Sequence, residues 1–100
     1  MRYAKYAFID GNDVFTRRDI HEFLSSALSF PEWYGHNLDA LYDCLTCAAD
    51  PVTVRIRGRE VINARLEGYG DKLMAVLHDA AAENANVTVI ENGTVQDALF

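Results

Sequence analysis

Residues 51–91 read PVTVRIRGREVINARLEGYGDKLMAVLHDAAAENANVTVIE, and the order of patterns within them decides the fold class. Pro51 to Arg57 alternates apolar and polar side chains, the period of a strand with one face buried, and Gly58 ends it. Glu60 to Arg65 has the length of a short helix. From Asp71 to Asn84 the apolar residues Leu73, Val76, Leu77, Ala80 and Ala81 recur at helical spacing, and Asn86 to Glu91 is a β-branched run that reads as another strand. Two strands separated by helices cannot pair as a hairpin. They need a crossover, which makes them parallel and the domain α/β.

The pattern repeats towards the N-terminus. Tyr3 to Ile9 is aromatic and apolar, stops at Asp10-Gly11-Asn12-Asp13, and reads as a strand followed by a turn. Thr16, with Asp19 three residues on, is placed to cap a helix whose inward positions are Ile20, Phe23, Leu24, Ala27 and Leu28. Ser29-Phe30-Pro31 ends it. A second helix is expected from about Asn37 to Cys47, with Leu38, Leu41, Cys44, Leu45 and Ala48 on one face. The expected fold is therefore a small three-stranded, mainly parallel sheet packed with about four helices. Residues 1–91 are expected to form a single domain, with 92–100 a C-terminal tail of unassigned role.

The placement of charge is more informative than its sum of −6. No Lys or Arg occurs between Asp19 and Val54, yet Asp19, Glu22, Glu32, Asp39, Asp43 and Asp50 all fall there, while elsewhere nine acids match nine bases. An acidic segment disfavours direct contact with nucleic acid and favours a basic protein or a cation, although a solvated face that aids solubility has the same composition. No window approaches transmembrane length. Met1 to Ile9 breaks off well short of a secretory apolar stretch, so a soluble, cytoplasmic product is expected.

Within that segment, the core stripe of the second helix leaves His36, Asp39, Asp43 and Thr46 on the opposite face, with Tyr42 beside them. Asp39 and Asp43, four residues apart, repel each other by a few tenths of a kcal/mol. Just upstream, Glu32-Trp33-Tyr34-Gly35 sets two large aromatics in an expected loop. Trp and Tyr beside unpaired acids suit the centre of a protein interface, but either ring can instead plug the core. Asp79 and Glu83 repeat the i,i+4 acidic theme on the last helix, where they can serve the same partner or be ordinary surface acids.

Residues 30–47, FPEWYGHNLDALYDCLTC, closely resemble the signature segment of the barstar family, intracellular inhibitors of secreted ribonucleases such as barnase. Weaker similarity spans most of the chain, including Asp50-Pro51, where the family has an X-Pro bond that can be cis. The resemblance implies a barstar-like fold and inhibition by occlusion, with carboxylates occupying phosphate subsites in a basic cleft. Asp43 would enter the phosphate site, Asp39 would pair with a flanking base, and Trp33 would stack near a catalytic histidine. Tyr34, Gly35, Asn37 and Tyr42 belong to the same surface, and Asp79 and Glu83 are secondary contacts. The implied partner is an extracellular-type or toxin ribonuclease, with no cofactor, no metal, no direct nucleic acid and no membrane.

The chain departs from the family's usual pattern at several positions. Trp33 stands where Tyr is usual, His36 for a frequent acid, Tyr42 for Trp, Asp79 for Glu, and Ala48 for an aromatic. These differences imply a different ribonuclease partner. An immunity protein against another toxin, or an acidic antagonist of a nucleic-acid-binding protein, would use the same face. A redox role for Cys44 and Cys47 is disfavoured because the pair lies near a helix C-terminus, where the dipole does not favour a thiolate. His36, Asp39 and Asp43 alone would make a poor divalent metal site. His21 and His78 read as packing or surface residues.

Overall fold

The computed structural model describes residues 4–92 of the 100-residue chain. In chain order the elements are β1 (Lys5–Asp10), a 3-10 turn (Gly11–Asp13), α1 (Arg17–Leu28), α2 (Leu38–Thr46), β2 (Val52–Arg57), α3 (Arg59–Arg65), α4 (Tyr69–Glu83) and β3 (Val87–Asn92). The strands form one sheet in the order β1-β2-β3, and both pairings are parallel. This is the α/β arrangement expected from the alternation of strands and helices. β3 runs one residue into the segment expected as a tail, and the rest of that segment lies outside the described residues, as does Tyr3.

Register explains why the strands alternate. Ala7, Val54 and Val89 are aligned across the sheet and turn towards the helices, whereas the next row, Phe8, Arg55 and Ile90, faces solvent, with the Arg55 guanidinium over the Phe8 ring. A parallel sheet is usually covered on both faces. Here the helices cover one, so each strand keeps the half-polar pattern that Val52 to Arg57 displays.

Local chemistry sets the element ends. Thr16 and Asp19 form a reciprocal capping box at the start of α1, and Ser29 closes that helix in the left-handed region at φ 55°. Gly11 passes so close to Gly58 that a Cβ on it would sit 2.2 Å from the Gly58 carbonyl oxygen, which locks the end of β1 against the end of β2. Arg65 donates to the carbonyls of Gly11, Asn12 and Val14, pinning α3 to the same turn. The Asp50–Pro51 peptide is trans.

Two helical readings shift. α4 starts at Tyr69 rather than Asp71, because Gly68 turns the chain at φ 84° and Gly70, which lacks a Cβ, lets the first turn press against Arg59 and Asn63 of α3. In α1 the buried residues are Ile20, His21, Leu24 and Leu28, while Phe23 and Ala27 face out. The helix is rotated so that a histidine, not a phenylalanine, enters the interior.

Candidate protein-binding site

α2 is preceded by a loop whose shape is fixed by hydrogen bonds. Asn37 caps the helix, its Oδ1 accepting from the Ala40 amide at 2.8 Å, while its Nδ2 donates to the Gly35 carbonyl at 3.3 Å. The Tyr34 amide donates to the Pro31 carbonyl at 2.9 Å. His36 takes the left-handed conformation at φ 55°, and its Nδ1 donates to the Tyr34 carbonyl at 2.9 Å. These contacts send the two neighbouring aromatics in opposite directions: Trp33 is 77% exposed and Tyr34 only 3%.

Tyr34 enters a small polar hub inside the protein. His21, fully buried, has Nδ1 2.5 Å from the Tyr34 hydroxyl and Nε2 2.8 Å from the Tyr69 hydroxyl. A neutral imidazole carries one N–H and one lone pair, so one tyrosine accepts and the other donates. Burial, reinforced by the nearby His36, pulls the His21 pKa from 6.5 to about 4 and keeps the ring neutral. Burial likewise raises the Tyr34 and Tyr69 hydroxyls above their ordinary range. The hub ties α1, the loop before α2 and the first turn of α4 together.

The acids remain outside. Asp39 and Asp43 are exposed on α2, Tyr42 is half-buried between them, and among the described residues neither carboxylate has an ion-pair partner. Asp43 also lies in the last turn, towards the negative end of the helix dipole, so its charge is held against two repulsive terms. α4 packs alongside α2. The Asn84 amide donates to the carbonyls of Leu45 and Ala48, both at 2.9 Å, which satisfies the C-terminus of α2 and joins the ends of the two helices. Asp79 and Glu83, exposed and likewise without an ion-pair partner among the described residues, therefore stand on the helix next to the one bearing Asp39 and Asp43.

The sequence-level surface is thus divided by role. Trp33, Asp39, Asp43, Asp79 and Glu83 present free side chains, and Tyr42 does so in part. Tyr34 takes the core position that either of the two rings could have filled, and supports the loop from beneath. Gly35 and Asn37 are exposed, but the Gly35 carbonyl and the Asn37 amide serve each other. Sequence reading missed the hub of His21 and Tyr69 and the Asn84 clamp. The trace of the hub was a histidine inside a helical apolar stripe; nothing local marks Asn84 as the partner of a helix 39 residues away.

Among the described residues, no group of three or more His, Cys, Asp or Glu could hold a metal ion, and no helix is long and apolar enough to cross a membrane. Cys44 and Cys47 are free thiols; burial, then Asp43 and Cys47, raise the Cys44 pKa, which opposes a reactive thiolate.

The family model described as Barstar (barnase inhibitor) matches residues 4–91. The Bacillus subtilis (strain 168) protein named "Putative ribonuclease inhibitor YrdF" is 41% identical over 76 residues, which span 75% of this chain and 84% of that protein. With the matched region running from before β1 to the penultimate residue of β3, the chain belongs to the barstar family.

Proposed function

We propose that this chain is a protein inhibitor, not an enzyme, and that its target is a small microbial ribonuclease of the barnase-like, guanyl-specific type. Residues 1–91 are the inhibitory unit, acting in the cytoplasm. The observation that carries the reading is the surface around α2. Asp39 and Asp43 are exposed without ion-pair partners among the described residues, and the protruding Trp33 borders the same cleft as Asp43. A ribonuclease binds phosphates with Arg, Lys and His; carboxylates on a rigid helix match those cations and offer nothing to cleave. Asp43 takes the phosphate position, Asp39 a flanking base, and Trp33 stacks beside them. Asp79 and Glu83 line the rim.

The negative surface also steers encounter with a basic enzyme. The test is RNA cleavage by guanyl-type microbial ribonucleases mixed with the chain at several salt concentrations. Near-stoichiometric inhibition is expected at low salt, weakening as salt screens the charge pairs. Full activity of every such enzyme at low salt, with the chain in excess, would overturn the proposal.

A further inference from the structure

Beside α2 lies a cleft of about 370 Å³, walled by the end of α1, the loop after it, the second half of α2 and the start of β2. Its walls are mainly apolar, with Leu28, Phe30, Pro31, Leu45, Ala48 and Val52 among them, together with the thiols of Cys44 and Cys47. The charged residues that line it are Lys5, Asp43 and Asp50. Trp33 and Asp43, central to the function proposed above, both border it, so the cleft is continuous with the acidic surface.

The size and lining restrict what can occupy it. Its volume falls at the low end of the roughly 300–1,000 Å³ of small-ligand pockets, enough for one large side chain and too small for a helix. A charged group seated against the apolar part of these walls, away from Lys5, Asp43 and Asp50, would give up water without full compensation, whereas an apolar one gains by leaving it. Strong interface anchors are typically large side chains seated in such pockets near the centre of the contact. We infer that this cleft is the socket for one large apolar side chain, aromatic or long aliphatic, which the ribonuclease presents next to the cation that meets Asp43. The inference rests on the proposed function and deepens it, because it makes shape as well as charge select the enzyme.

Filling the cleft tests this. Ala48→Trp places a ring inside it; Cys47→Phe does so from an exposed position, where folding is least at risk. Thermal melts establish which variants fold, and inhibition is measured against a guanyl-type ribonuclease that the unsubstituted chain inhibits. A loss of about tenfold or more in either folded variant is expected, the scale of losing one buried anchor. Undiminished inhibition by both overturns the socket and leaves the proposed function standing. No inhibition by the unsubstituted chain defeats the proposed function, and the socket with it. Indole is titrated into the free protein and followed by nuclear magnetic resonance. Saturable shifts at Ala48 and Cys47, combined with full inhibition by both filled variants, would make the cleft a small-ligand site and overturn the socket.

Discussion

At Asp43 the stability of the free protein and the proposed binding role make opposing demands. Its carboxylate repels Asp39 one turn away and sits towards the negative end of α2, with no ion-pair partner among the described residues. Replacing it with Asn should therefore raise the stability of the free protein by a few tenths of a kcal/mol. A lower melting temperature for Asp43→Asn would show that the charge is compensated after all. Binding should respond in the opposite direction: Asp43→Ala is expected to weaken ribonuclease inhibition far more than Glu83→Ala. Close charge pairs in the barnase–barstar complex itself couple by about 1.5–7 kcal/mol, a scale set by that complex and borrowed for this one. Equal losses from the two variants would mean that total charge, rather than the position of Asp43, governs inhibition.

At the scale of the element, α2 and the loop before it behave as one unit because Asn37 belongs to both. Removing its side chain frees the Ala40 amide and cuts the link to Gly35, without touching any charge. Asn37→Ala should destabilise the protein by about 1 kcal/mol, the usual worth of an N-cap. Inhibition should weaken as the loop carrying Trp33 loosens, whereas the salt dependence should stay as it was. Inhibition unchanged in this variant would separate the loop from the binding surface. This unit was largely legible in the sequence, where the spacing of Leu38, Leu41 and Leu45 sets the helix and leaves Asp39 and Asp43 outward. The fate of the two aromatics was not legible. Trp33 and Tyr34 are adjacent and chemically alike, and only the hydroxyl partner waiting on α1 decides which one goes inside.

The hub of His21, Tyr34 and Tyr69 makes the stability of the whole molecule sensitive to pH. The folded protein holds His21 neutral, with a pKa near 4 against an ordinary value of 6.5. As pH falls below 6.5 the unfolded chain takes up a proton that the folded one refuses. The contribution is therefore complete above about pH 6.5 and is lost progressively down to about pH 4. The loss should approach about 3 kcal/mol across that window. Asp19 and Asp71, whose hydrogen bonds lower their pKa values, lose their contributions only as pH falls below their ordinary 3.8, so the two effects separate. Urea unfolding at a series of pH values checks this; a flat stability between pH 7 and pH 4.5 would show that His21 is not held neutral. The same titration should loosen the seat of Tyr34 and, with it, the loop that presents Trp33.

What the sequence by itself determined was the order and kind of the elements, because periodicity, caps and turn residues act over a few residues. The alternation of Val52 to Arg57 recorded a sheet covered on one face, and the helical spacing of Leu38 to Ala48 recorded an acidic outward surface. Tertiary structure decided everything that depends on residues far apart in the chain meeting. It started α4 at Tyr69 through the contact of Gly70 with α3, and buried His21 in place of Phe23. It also turned Tyr34 in and Trp33 out, and opened a cleft between elements from Lys5 to Val52. Such outcomes follow from packing and from pairing buried polar groups across elements, which no local pattern contains.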